Sequence, residues 1–175
     1  MTPAPEFSRP VGVNTLPRNG RTIAIEADEA ERAALARRFD LIALDALTAR
    51  FTLTPGRGDT VAVAGTLQAA VVQRCVVTLD PVSAAVEDEI EAIFADTAGR
   101  SEAEIEVDPL ATEIEPLVDG RIDLGELAAQ HLSLALDPYP RSPDAPEPVD
   151  EPPEERTETR RPFAVLKGGE SETED

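Results

Sequence analysis

The chain has 175 residues, enough for one domain of ordinary size and some unstructured sequence. Hydrophobic residues make up 41% and aromatic residues only 3%, which predicts a core of Val, Leu, Ile and Ala. The net charge of −19 disfavours direct nucleic-acid binding, because that depends on Lys and Arg at the phosphates, and favours basic protein partners. No run approaches the roughly 20 apolar residues of a membrane span. The first ten residues lack a secretory pattern, so we expect a cytoplasmic protein that does not contact membranes.

The N-terminal part is predicted to hold two short strands and a helix. Residues 7–13 and 21–26 have strand composition, and the turn-forming residues 17–20 lie between them. Asp28 and Glu31 have the spacing of a capping box, with Asp in place of the usual Ser or Thr. This spacing predicts a helix over 29–39.

The middle of the chain carries the clearest β pattern. Apolar and polar residues alternate over 47–54, a turn follows at 55–59, and one parity stays apolar from 61 to 79. Because so long a strand is unusual, we expect a bend near Gly65 or a bulge near 73–75. The alternation resumes after Pro81; a helix is the alternative there, and we favour a strand. Its polar parity holds Glu87, Glu89 and Glu91.

Residues 96–112 are acidic and weakly patterned, which is typical of a loop with a short element inside it. A second helix is predicted to follow Asp123, which has capping-box spacing to Glu126. Ile122 and Leu127 occupy the two positions of a hydrophobic staple. The dipeptide 137–138 ends this helix, because the residue before proline avoids helical geometry.

From Pro138 to Pro162 the chain holds half of its 16 prolines together with many acidic residues, a composition that predicts disorder. We therefore expect a globular domain over 7–140 and a flexible tail over 141–175. An apolar motif at 162–166 interrupts the tail. It is typical of a docking segment, with a chance cluster as the alternative. The candidate docking residues are Phe163, Val165 and Leu166 in this motif and Glu87, Glu89 and Glu91 in the domain.

The predicted fold class is α+β, with a strongly bent antiparallel sheet and at least two helices. Closure of the sheet into a barrel is an open alternative. Alternation of this kind is common in sheets that have one face on the core and one face in water.

The residue types of a catalytic site are sparse. Cys75 is the only cysteine, which excludes an intramolecular disulfide and a cysteine-based zinc site, and it is interpreted as a small buried apolar residue. His131 is the only histidine and falls on an apolar helix face, so a structural role is favoured. The chain has neither a phosphate-binding glycine loop nor a nucleophile elbow. Weak cation binding at 87–89 is the alternative to a solvated strand face. We expect no enzyme, no metal and no cofactor.

Three blocks of sequence together resemble the YceD family of large-subunit ribosomal RNA accumulation proteins, most closely its alphaproteobacterial members. The blocks run from Val71 to Val82, from Glu115 to Leu127 with a continuation over 132–141, and from Pro162 to Lys167. The early helix, with Glu31, Arg32, Leu35 and Ala36, also fits the family pattern. Some relatives carry a second cysteine near the first, and its absence here counts against a metal role.

The resemblance implies a role in building or maintaining the large ribosomal subunit, with no catalytic residues to carry over. Combined with the charge, it predicts a non-catalytic factor. That factor would bind a basic large-subunit ribosomal protein or assembly factor and associate with ribosomal RNA only indirectly. The alternatives are an RNA-processing enzyme and an acidic regulator linked to lipid metabolism, since family genes often lie near phospholipid-synthesis genes.

Overall fold

A computed structural model describes residues 5–57, 60–96 and 114–147. The chain divides into two units between Ala145 and Pro146, and every element named below belongs to the first unit. Most of the loop predicted at 96–112 and the apolar motif at 162–166 lie outside the described residues. The domain limits at 7–140 and 141–175 stay predictions.

The described residues form two helices and seven strands. The helices are α1 (Glu29–Arg38) and α2 (Leu124–Ala135). The strands are β1 (Pro10–Gly12), β2 (Arg21–Glu26), β3 (Ala43–Pro55), β4 (Thr60–Arg74), β5 (Pro81–Ala95), β6 (Ile114–Pro116) and β7 (Arg121–Asp123). The α+β class is therefore confirmed. The strand predicted at 7–13 is confirmed only at Pro10–Gly12, because residues 7–9 are not in a strand and a 3-10 turn begins at Val13.

The main sheet has five strands in the order β2-β3-β4-β5-β6. The first four strands are antiparallel neighbours, whereas β6 runs parallel to the end of β5 at Ile93–Ala95. The expectation of a purely antiparallel sheet was thus wrong at this edge, and the sheet is mixed. Within the described residues, the two outer strands β2 and β6 do not pair with each other, so no barrel closes. A separate two-stranded sheet joins β1 to β7.

The alternation in the sequence correctly predicts which side chains of the long strands are buried. On β3, Leu47, Ala49, Phe51 and Leu53 are buried and the residues between them are exposed. Gly65 on β4 lies opposite Phe51, and a Cβ there would come within 2.6 Å of the Phe51 ring. The glycine therefore lets the aromatic ring cross its strand, and the pairing of β4 continues through it without a register shift.

The apolar parity that runs to residue 79 does not continue as a strand beyond β4, and the bulge expected near 73–75 is absent. The strand ends at Arg74, and the Cys75 N–H donates to the Asp80 carbonyl at 2.8 Å to close a tight turn. Leu79 in this turn has a positive φ of 66° and is 64% exposed. No bulge interrupts the pairing of β4 with β5; the one register shift lies on β3, between Leu44 and Ala46.

Both helices begin at the aspartates predicted to cap them. The Glu31 N–H donates to the Asp28 carboxylate at 2.8 Å, and the Asp28 N–H donates to Glu31 at 2.9 Å, which completes a capping box. Asp123 accepts from two backbone N–H groups at the start of α2. The Glu126 side chain does not complete that box. It pairs instead with Arg38 on α1, with oxygen–nitrogen distances of 2.8 and 3.0 Å.

Helix α2 packs against β4 and β5 and covers the core on the face of the sheet that carries their buried side chains. Its buried residues are Leu124, Gly125, Leu127, Ala128, Ala129 and Leu132. The helix ends at Ala135 with Leu136 as its C-cap, just before the dipeptide predicted to end it. The opposite face of the sheet carries exposed small and polar residues on β4 and β5, and this outer face displays the candidate site.

Candidate partner-binding surface

Glu87, Glu89 and Glu91 form a column on the outer face of β5. All three side chains are exposed, whereas Val86, Ile90 and Ala92 on the other parity of the strand are buried. Because a strand rises about 3.4 Å per residue, successive glutamates in the column are roughly 7 Å apart. The predicted solvated strand face is confirmed for Glu87 and Glu89 but not for Asp88, which lies on the other parity of the strand. We name the three glutamates the glutamate column.

The neighbouring strand leaves the glutamate column uncovered. Gln68 on β4 donates its amide to Glu87 at 3.2 Å. Thr66 lies opposite Glu89 and Ala64 lies opposite Glu91, so short side chains adjoin the other two carboxylates. An open depression on the same face is lined by Thr66, Leu67, Gln68 and residues 87–89. The carboxylates therefore face solvent over a surface that a partner could approach closely.

The core face of β5 carries one polar contact that ties the strand to α2. Asp88 lies between the buried residues Val86 and Ile90, and its Oδ2 is 2.8 Å from Nδ1 of His131. The side chains are 31% and 23% exposed, respectively. Since a carboxylate only accepts, Nδ1 of His131 is the donor. His131 thus has the structural position that the helix pattern predicted.

The turn between β4 and β5 is built around the thiol of Cys75. The residue is fully buried, as predicted, but its environment is polar. Its Sγ accepts from the backbone N–H groups of Val77 and Thr78 at 3.4 Å and of Ser142 at 3.3 Å. These donors, with the Ser142 N–H contributing most, lower the pKa of the Cys75 thiol to about 6.

The same turn holds the segment that follows α2. The Val76 N–H donates to the Pro140 carbonyl at 2.9 Å, and the Gln73 amide donates to the Asp137 carbonyl at 2.9 Å. Together with the Ser142 contact, these bonds hold the family-like block at 71–82 against the end of the second block, which continues over 132–141. Four apolar side chains remain exposed around this junction: Val76, Val77, Leu79 and Tyr139.

Sequence reasoning located the glutamate column but missed two features. The pairing of Asp88 with His131 had a signal, because Asp88 is the one acid on the apolar parity of β5. The role of Cys75 as an acceptor had none, because one of its three donors comes from Ser142, 67 positions further along the chain. The docking residues Phe163, Val165 and Leu166 lie outside the described residues, so their role stays a prediction.

Within the described parts of the chain, no group of three or more His, Cys, Asp or Glu side chains is arranged to hold a metal ion. Among those same residues, no helix is both long and apolar enough to cross a membrane.

Comparison with known proteins supports one family. Neither the curated proteins nor the solved structures gave a match. The model of the family described as "Large ribosomal RNA subunit accumulation protein YceD" matches residues 63–168, more than half of the chain. The match begins in β4 and includes the glutamate column, the Cys75 turn and α2, whereas the early helix lies outside it. The chain belongs to the YceD family of large ribosomal RNA subunit accumulation proteins.

Proposed function

We propose that this protein is a non-catalytic factor that supports accumulation of large-subunit ribosomal RNA by binding a basic protein. The partner is a basic large-subunit ribosomal protein or a basic assembly factor, and contact with ribosomal RNA is indirect. Membership of the YceD family carries the first half of this proposal. The net charge of −19 carries the second half.

The protein could act on ribosomal RNA either by binding it directly or by binding a basic protein, and the net charge favours one of these two routes. A protein that binds RNA directly needs Lys or Arg side chains at the phosphates, because neutralising them releases counterions and supplies most of the affinity. This chain has 16 basic residues against 35 acidic ones. The same excess of carboxylates attracts a basic protein and raises the rate of encounter. A route through a basic protein partner is therefore favoured.

The described surface offers a place for such an encounter. The glutamate column displays three carboxylates on one strand, with only Gln68 bonded to them in the described residues. The acidic residues between Asp144 and Glu158 add further negative charge in sequence. In this proposal the carboxylates shield the Lys and Arg side chains of the partner until ribosomal RNA displaces them.

Affinity purification of the full chain from its own cells tests the proposal. Basic large-subunit proteins or assembly factors are expected to co-purify, and to do so equally after nuclease treatment of the extract. Loss of every such protein after nuclease treatment would show that RNA is the bridge and would contradict the proposal.

Depletion of the protein provides the matching functional test. Large-subunit ribosomal RNA is expected to fall relative to small-subunit ribosomal RNA. Incubation of the purified chain with large-subunit precursor RNA is expected to leave the RNA ends unchanged. A new, specific cleavage that requires the intact chain would favour a processing enzyme instead.

A further inference from the structure

Among the described residues, one edge of β5 is left without a pairing strand over most of its length. In the described residues, β5 pairs with β4 along its whole length, but β6 covers only Ile93–Ala95 on the other side. At the edge of β5 that faces away from β4, no described strand pairs with residues 82–92. Such an edge presents a row of unpaired backbone N–H and C=O groups, which is a template for another strand.

The backbone direction identifies which residues offer these groups. The Leu117 N–H, just after β6, donates to the Ala95 carbonyl at 2.9 Å, so the backbone of Ala95 faces away from β4. Backbone groups of successive residues in a strand point to alternate sides. The odd-numbered residues of β5, which include Glu87, Glu89 and Glu91, therefore turn their N–H and C=O groups to the open edge. The three residues of the glutamate column are therefore among the open backbone positions.

We propose that this edge of β5 accepts an extended segment of the basic partner protein as an added strand. The segment carries Lys or Arg at three alternate positions. Each basic side chain lies opposite one member of the glutamate column while the two backbones hydrogen-bond. Directly opposed side chains on neighbouring strands are about 5 Å apart, close enough for ion pairs. The inference rests on the proposed function and names the site and the chemistry that it requires.

The spacing of basic residues indicates that the strand added to β5 comes from a partner and not from the chain's own C-terminal segment. In residues 160–167, Arg161, Phe163, Val165 and Lys167 share one parity, so only the two ends of that face are basic. Pro162 also lacks the N–H that a pairing strand donates. The competing explanation is that the glutamates only keep the edge from pairing with other copies, as charged edge residues commonly do. Binding of designed peptides distinguishes strand addition from simple protection of the edge.

The test uses the full chain and two synthetic ten-residue peptides of identical composition, built from Lys, Val and Thr. In one peptide three lysines occupy alternate positions, and in the other they are consecutive. Fluorescence anisotropy is expected to give about tenfold tighter binding of the alternating peptide, as about 1.4 kcal/mol would produce. Equal affinities would show that charge alone attracts the peptides and would overturn the added-strand arrangement.

Amide hydrogen exchange gives a readout that a charge effect does not mimic. Binding of the alternating peptide is expected to slow exchange at the amides of Glu87, Glu89 and Glu91, which face the open edge. The amides of Asp88 and Ile90 face β4 and are expected to change little. Slowing at both parities alike, or at neither, would contradict the proposal.

Two variants and a charge-matched control locate the site. E87Q/E89Q/E91Q is expected to weaken binding of the alternating peptide at least tenfold. The charge-matched control E26Q/E29Q/D45N, which neutralises three exposed acids elsewhere, is expected to weaken it less than threefold. A85P keeps every glutamate but removes one outward N–H, and proline is tolerated at such edge positions. Unchanged binding to A85P would overturn backbone pairing at the edge.

Three further outcomes show which part of the account fails. If deleting residues 160–175 strengthens peptide binding at least tenfold, the chain's own segment occupies the edge and the commitment to a partner is wrong. If the natural basic partner binds E87Q/E89Q/E91Q and A85P as tightly as the unchanged chain, the edge proposal fails while the proposed function stands. If no basic partner binds the unchanged chain, the proposed function itself fails.

Discussion

Asp88 on β5 accepts a hydrogen bond from His131 on α2, with 2.8 Å between Oδ2 and Nδ1. The contact joins α2 to the core face of β5. The opposite face of this strand carries the glutamate column. Both side chains are partly exposed, so solvent screens the interaction.

The His131–Asp88 contact is expected to contribute little to stability. His131→Gln and Asp88→Asn should each lower the free energy of unfolding by about 1 kcal/mol or less, with a coupling energy of similar size in a double-mutant cycle. Urea unfolding measures these values. Both variants should support normal ribosomal RNA accumulation. If His131→Gln abolished that accumulation in a protein that still folds, the structural role assigned to this histidine would be wrong.

The buried face of α2 should dominate the stability of the domain. Leu132 is fully buried, so Leu132→Ala should cost about 2–5 kcal/mol. Leu132→Asp should prevent folding, because it places an unpaired charge in the core. Leu134 on the same helix is 82% exposed and is the matched control, with Leu134→Ala expected to stay within about 0.5 kcal/mol. Similar thermal unfolding of the two alanine variants would contradict the assigned orientation of α2.

Sequence periodicity predicted the elements whose signals are local. The capping aspartates Asp28 and Asp123 began both helices, and the alternation on β3 and β5 assigned the buried parity, because each signal depends on residues a few positions apart. The pairing of β1 with β7 joins residues more than 100 positions apart, such as Val11 and Ile122. No local pattern encodes such a partner. The three-residue strand β6 is likewise too short to show a periodicity.

The end of β4 shows a different limit of the sequence pattern. Cys75, Val77 and Leu79 continue the apolar parity of the strand, so alternation alone extended it to residue 79. The chain instead turns at Cys75, where backbone donors from its own turn and from Ser142 surround the sulfur. The apolar parity beyond the turn yields the exposed side chains of Val77 and Leu79, which the pattern alone could not show.

The Cys75 thiol should make stability depend on pH. Its pKa is lowered to about 6 in the folded chain, from an ordinary value of 9.0. A lowered pKa means that the ionised thiol stabilises the fold fully above the ordinary value, and that this contribution is lost as pH falls through about 6. The melting temperature of the unchanged chain, relative to that of Cys75→Ser, should therefore rise between pH 6 and pH 9. A difference that is constant over this range would contradict an ionised, hydrogen-bonded sulfur.

The C-terminal segment should matter for function more than for stability. Deletion of 160–175 removes Phe163, Val165 and Leu166, the candidate docking residues of the apolar motif. Ribosomal RNA accumulation should weaken, while the melting temperature stays within a few degrees. Replacing only the three apolar residues with serine should reproduce the defect and so control for chain length. A loss of thermal stability as large as that of Leu132→Ala would instead place the segment in the core.

The central claim is that an acidic protein serves ribosomal RNA through a basic protein partner. The most direct measurement compares binding of the purified full chain to naked large-subunit RNA and to purified basic large-subunit proteins over a range of salt. The account predicts no specific RNA binding at physiological salt and binding to at least one basic protein. That binding should weaken markedly between about 50 and 300 mM salt, because screening by salt shortens the range of the attraction. Tight, salt-resistant binding to RNA alone, with no protein partner, would contradict the account while leaving the family assignment unchanged.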